Sequence, residues 1–75
     1  MKISQILRKR LDELVFSKMS KAELCRRLDI KPQSLQNSLK QWEAGKGFRM
    51  STVERIAEVT NIPYEELFKS PKEEN

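Results

Sequence analysis

The chain has 75 residues, 35% of them charged, with 15 Lys and Arg against 11 Asp and Glu. At this length one domain is expected, burying roughly 60% of the surface the unfolded chain exposes, enough for one core and too little for an enclosed substrate cavity. With no histidine and a single cysteine, Cys25, the composition excludes a His-based catalytic group, a zinc site and an internal disulfide, and no apolar run approaches the roughly 20 residues of a membrane span.

The charge is unevenly placed. Met1 to Arg49 holds 12 Lys and Arg against 5 Asp and Glu, a net +7, and Met50 to Asn75 holds 3 against 6, a net −3. A basic front and an acidic back suit an oriented polyanion partner, with scattered solvating charge as the open alternative. The N-terminal segment places its charges after its apolar residues, unlike a secretion signal, so the expectation is a soluble, cytoplasmic protein with no membrane partner, cofactor or small-molecule substrate.

The first predicted helix runs from about Lys2 to Phe16. Ile3, Ile6, Leu7, Leu11, Leu14 and Val15 recur at three- and four-residue steps on one face, with Arg8, Lys9, Asp12 and Glu13 mostly on the other. Ser20 then starts a second helix as its N-cap, with Glu23 three residues on completing a capping box. Leu24, Cys25 and Leu28 form its apolar side, and Cys25 reads as a small packing residue. Asp29 can adopt the left-handed conformation that ends a helix sharply, after which Ile30 is expected to pack back onto the core.

Pro32 suits the first turn of a third helix, expected to reach about Ala44 before Gly45-Lys46-Gly47 ends it. Phe48 and Met50 are expected to anchor the loop that follows. Ser51 reads as the cap of a fourth helix, with Glu54 three residues on and Val53, Ile56, Ala57 and Val59 as its buried stripe, stopped at Asn61. Pro63 opens a short fifth helix through Phe68, ended by Ser70 and Pro71. Residues 71–75 are expected to form a disordered tail behind a 1–70 domain. The fold class is therefore all-α, a five-helix bundle.

The segment from Ser20 to Ala44 reads as helix, tight turn, helix, the geometry that places the second helix of the pair in a DNA major groove. Taking 100° per residue from Leu35, Leu39 and Trp42 lie within about 40° of it and form the buried stripe. Gln33, Asn37 and Lys40 lie near the opposite pole, Ser34 and Gln36 flank the stripe, and Gln41 sits toward the exposed side. A solvated helix face usually carries Glu and Lys at i,i+4. This one carries amides, hydroxyls and one amine, and no acid before Glu43. Amides donate and accept at once, as the adenine edge requires, and the lack of carboxylate avoids repulsion from phosphate. The alternative is a neutral polar face without a ligand. Around it Ser20, Lys21, Lys31, Gln36, Lys46 and Arg49 are the candidate phosphate contacts. Arg26 and Arg27 could do the same or pair with Glu23 or Asp29.

The run Ser20-Lys-Ala-Glu-Leu-Cys-Arg-Arg-Leu-Asp-Ile-Lys-Pro-Gln-Ser-Leu-Gln-Asn37 resembles the lambdoid phage repressor and Cro family, also called the Xre family. Trp42-Glu43-Ala44-Gly45 resembles that family's apolar-Glu-x-Gly ending of the third helix, and Ile56 to Phe68 resembles its fourth and fifth helices. The resemblance spans about Met1 to Phe68. It implies a five-helix, lambda-repressor-like domain, base reading by the third helix, and dimers on palindromic operators. Matched by position, Gln33, Ser34 and Asn37 fall where the family reads bases, and Lys21, Lys31 and the loop cations where it grips phosphates. The third helix is about one turn longer than the family's usual one, adding roughly 6 Å, and Lys40 and Gln41 lie on that turn as further readers without a family counterpart. By the same analogy the dimer surface is placed around Tyr64, Leu67 and Phe68, with closure of the monomer core as the equal alternative for Leu67 and Phe68.

These readings converge on a sequence-specific regulator that binds double-stranded DNA, located in the cytoplasm and on the nucleoid when bound. With no sensor domain in the sequence, repression by occupying a promoter is the default. The alternative is a protein-binding module on the same fold: an antitoxin, an adaptor or a polymerase-binding factor docking through the acidic back. An enzyme is not expected, because Ser34, Ser38 and Cys25 have no activating partner. RNA binding is disfavoured because Trp42 and Phe48 are needed for packing.

Overall fold

A computed structural model describes residues 2–69. The expected tail, Ser70 and Pro71 lie outside the described residues. Five helices follow in order: α1 (Ile3–Leu14), α2 (Lys21–Leu28), α3 (Pro32–Glu43), α4 (Met50–Thr60) and α5 (Tyr64–Leu67). No strand occurs among the described residues. α1 packs on α3 and α5, α2 on α3 and α4, and α4 on α5.

Each long helix contributes an apolar stripe to one core. Leu7, Leu11 and Val15 from α1 and its exit, Leu24, Cys25 and Leu28 from α2, Leu35, Leu39 and Trp42 from α3, Val53 and Ile56 from α4 and Leu67 from α5 are all buried. Burial of these side chains is what chiefly holds the helices, which are too short to persist alone in water. Ile6 and Leu14 are half-buried, as the α1 periodicity requires. Ile3 is not, at 59% exposed. Its angle around α1 suits the core, but its height does not: the first turn meets the end of α3 through polar groups, with Gln5 Nε2 donating to the Glu43 carbonyl at 3.3 Å.

Three helices end in the same way. Asp29 and Asn61 sit in the left-handed region at φ 57° and 59°, and Gly45 at φ 81°. Beyond each, an N–H reaches back five residues, from Ile30 to Cys25, from Lys46 to Gln41 and from Ile62 to Ala57, which satisfies carbonyls the helix would leave open. Only the backbone of Ile30 closes the turn; its side chain is exposed and does not pack back as expected. Because Asp29 bears a Cβ where glycine would meet no steric penalty, Asp29→Gly is expected to raise stability by about 0.5–1 kcal/mol. A urea titration followed by circular dichroism reads this directly, and a midpoint moving downward would refute it.

At the start of α2, the Ser20 hydroxyl accepts the Glu23 N–H at 3.1 Å, the N-cap half of the expected capping box; the return bond from the Ser20 N–H to the Glu23 side chain is not formed, and that carboxylate lies 3.7 Å from Arg26 instead. α4 differs from expectation. Its N-cap is Arg49, in extended backbone and without a side-chain cap. The Thr52 and Val53 N–H groups turn back to the Arg49 carbonyl at 3.1 and 3.3 Å. Ser51 therefore lies inside the first turn, because the chain leaving Gly47 becomes helical before reaching it. Pro63 is the N-cap of α5 rather than its first residue, and Phe68 follows its end.

Two arginines join α4 to the helix pair. Arg55 Nη2 donates to the Leu28 carbonyl at 2.8 Å and Arg27 Nη1 to the Val59 carbonyl at 3.4 Å. Arg55 thus satisfies a terminal carbonyl of α2 at the tight turn and holds the α2–α3 unit against the body of the domain.

Candidate nucleic-acid interface

α3 is a twelve-residue helix, about 18 Å long. Its inner stripe of Leu35, Leu39 and Trp42 is buried at 3–4% exposure, which fixes the rotation of the helix and so turns Gln33, Ser34, Asn37, Lys40 and Gln41 outward. All five are exposed. Gln33 Nε2 donates to Asn37 Oδ1 at 3.1 Å across one helical turn. Ser38 is half-buried. No carboxylate interrupts the helix until Glu43.

The cations lie toward both ends of this face. At the N-terminal end, Lys31 is the exposed N-cap of α3 and carries no capping bond of its own. Beside it Lys21 and Gln36 line a groove of about 270 Å³ between α2 and α3, floored by Cys25 and Leu35. The Ser20 hydroxyl, while accepting from Glu23, keeps its own proton for a further acceptor. At the C-terminal end, Arg49 joins Ser38, Gln41, Gly47 and Thr52 around a polar cleft of about 300 Å³ between α3 and the start of α4. Lys46 stands exposed on the same loop. An extended anion crossing both ends of α3 would therefore meet positive charge and N–H or O–H donors at each.

Arg26 and Arg27 take internal partners. Arg26 lies 3.7 Å from Glu23, and Arg27 holds the Val59 carbonyl. Arg8 is a cation the periodicity assigned only to the solvent face. Its guanidinium lies 5.9 Å from the Phe16 ring, as does Lys21 Nζ, and it pairs with Asp12 at 2.6 Å. Phe16 thereby gathers positive charge from α1 beside the start of α2. No sequence period links Arg8 to Lys21, because the aromatic ring that joins them belongs to the irregular segment after α1.

α5 lies apart from this face, packed on α1 and α4 and not on α3. Leu67 is fully buried and belongs to the monomer core, which removes it from any surface a partner could touch. Phe68 is half-buried, its ring 5.3 Å from that of Phe48. Tyr64 alone of the three is exposed, at 45%. It borders an open groove lined by Glu54, Ala57, Glu58, Asn61, Ile62 and Pro63.

A helix pair with a tight αL turn, an outward amide face and cations at both ends has the form of a helix-turn-helix reader. A family model described as the Cro/C1-type HTH DNA-binding domain matches residues 2–73. The chain belongs to the Cro/C1-type helix-turn-helix family. No curated protein and no solved structure matches it. The Cro/C1-type assignment accounts for the all-helical, five-helix order and makes the chain a DNA-binding protein. In helix-turn-helix proteins the second helix of the pair enters the major groove and the first crosses the backbone. No helix among the described residues is long and apolar enough to cross a membrane.

Proposed function

We propose that this Cro/C1-type protein is a sequence-specific transcriptional regulator that binds a palindromic operator as a homodimer and represses by occupying a promoter. In this reading residues 1–70 form the working domain, and the protein acts in the cytoplasm and on the nucleoid. α3 enters the major groove, with Gln33, Ser34 and Asn37 reading bases and Lys40 and Gln41 extending the contact along its last turn. Ser20, Lys21, Lys31, Gln36, Lys46 and Arg49 grip the flanking phosphates. Tyr64, beside the half-buried Phe68, marks the α5 surface where a second copy would meet the first. The observation that carries the proposal is the exposed, carboxylate-free amide face of α3, bracketed by cations.

The test is selection from a random double-stranded DNA pool, with wild type and the Gln33→Ala/Asn37→Ala double variant. Wild type is expected to enrich a palindrome whose half-sites lie about 34–36 Å apart. The variant should lose the motif while keeping weak salt-dependent binding. The logarithm of wild-type affinity should fall linearly with the logarithm of salt concentration, by a slope of about 0.9 per phosphate neutralised, and Lys31→Ala should flatten that slope by about 1 per subunit. Binding no stronger than charge alone supplies, with no motif, would overturn the regulator. The choice would then move to a protein-binding module using the acidic groove of Glu54 and Glu58.

A further inference from the structure

The tight turn of the helix pair is held from outside by α4. Within the turn, the Asp29 N–H returns to the Arg26 carbonyl and the Ile30 N–H to the Cys25 carbonyl. The carbonyl of Leu28, the last residue of α2, is taken by Arg55 of α4, whose Nη2 donates at 2.8 Å in a part-buried bond. The grip is reciprocal: Arg27 of α2 reaches the Val59 carbonyl in the last turn of α4, at 3.4 Å. Each guanidinium also meets the negative end of the other helix's dipole. The Arg55 bond is the shorter and the better shielded of the two. Packing alone does not fix the turn. A cleft of about 190 Å³ lies between it and α4, bordered by Leu28, Asp29, Ile30, Thr52 and Arg55.

These bonds lie where the orientation of α3 is decided. α3 packs on α1 and α2, and its link to α4 and α5 runs through those two helices. Its far end is tied to α1, where Gln5 donates to the Glu43 carbonyl. Its near end follows the turn that Arg55 holds. Reading base edges requires several side chains to be placed together to within about 0.5 Å, whereas phosphate contacts carry no sequence information and bind any duplex. We propose that Arg55 is a positioning residue for DNA recognition: through the Leu28 carbonyl it fixes the tilt of the α2–α3 pair on the domain, and so supports sequence discrimination without touching DNA. This rests on sequence-specific binding by the pair and adds to it a residue outside the pair.

The test measures dissociation constants for the site enriched from the random pool and for an unrelated duplex, each over a salt series, in wild type, Arg55→Met and Arg55→Lys. Arg55→Met keeps most of the aliphatic stem and removes the donors. It is expected to weaken binding to the enriched site by roughly tenfold, with affinity for the unrelated duplex and the salt slope unchanged. Arg55→Lys retains a charged donor and should recover part of the loss. Circular dichroism melts set a temperature at which every variant is folded, so unfolding does not supply the difference.

An equal loss on both duplexes, with a slope flatter by about 1, makes Arg55 a phosphate contact and overturns the proposal. Wild-type affinity of Arg55→Met for the enriched site overturns it too, while leaving base reading intact. No enriched site for wild type overturns sequence-specific reading and this inference together.

Discussion

Trp42→Ala is expected to destabilise the domain by about 3–5 kcal/mol, a large share of the ~5–15 kcal/mol that separates a small folded domain from its unfolded chain. Trp42 is 3% exposed and lies in the last turn of α3. There its carbonyl accepts the Gly45 N–H at 3.0 Å, and its side chain abuts the loop bearing Phe48 and Arg49. Truncation removes most of a buried side chain from the core and leaves a cavity that its neighbours fill only in part. It also frees the end of the helix that carries Lys40 and Gln41. Urea unfolding followed by helical circular dichroism measures the loss, with Trp42→Phe as the control that fills most of the volume and is expected to retain more than half of it. DNA affinity should fall with the folded fraction and recover when the temperature is lowered. A loss below about 1 kcal/mol would show that Leu35 and Leu39 alone seat α3 and that Trp42 has no structural role.

Arg10→Ala is the second large effect, expected at about 2–3 kcal/mol. Arg10 is 3% exposed, an uncommon position for an arginine in a small core. Its Nε donates to the Glu66 carbonyl at 3.0 Å. Nη1 and Nη2 lie 3.6 Å from the Glu13 and Glu66 carboxylates, each of which is 44% exposed. Those carboxylates keep their hydration, so the charge contacts contribute little. The charge-assisted bond to a backbone carbonyl and the burial of the aliphatic stem are expected to supply a large part of the stabilisation. The two can be separated. Arg10→Met keeps the stem and is expected to lose about half as much as Arg10→Ala. Arg10→Lys keeps the charge but not the planar fork, and should not recover wild-type stability. Hydrogen exchange should show α5 losing protection first while α2 and α3 keep theirs. If Arg10→Met matched wild type, the guanidinium would contribute nothing net, and the hold on α5 would be entirely apolar.

The helix pair was legible because its signals are local. Ser20 with Glu23, Pro32 in a first turn, and Asp29 at a left-handed stop each act within a few residues, and each stands where the pattern placed it. The exposed amide face of α3 was legible for a related reason. Once Leu35, Leu39 and Trp42 are taken as the buried stripe, helical geometry leaves no freedom in where Gln33, Asn37 and Gln41 point. Ser51 shows the limit of the same logic. A residue with the right chemistry caps a helix only if the chain enters the helix there, and the entry point was set by the loop from Gly45, which makes Arg49 the N-cap.

Residue types and their order thus determined the number of helices, the stripe each buries, the turn chemistry and the amide face of α3, since all follow from propensity and periodicity along one chain. Only the tertiary structure decided how distant residues meet. It buried Arg10 against α5 and left Ile3 in solvent at the edge of α1. It turned Arg27 and Arg55 onto carbonyls of neighbouring helices, and gathered Arg8 and Lys21 around Phe16. It gave Leu67 to the core and left Tyr64 outside. The physical reason is common to all of these. Periodicity assigns a side chain an angle around its own helix, whereas burial and partnership depend on what other helices bring to the same height, and no local pattern records that.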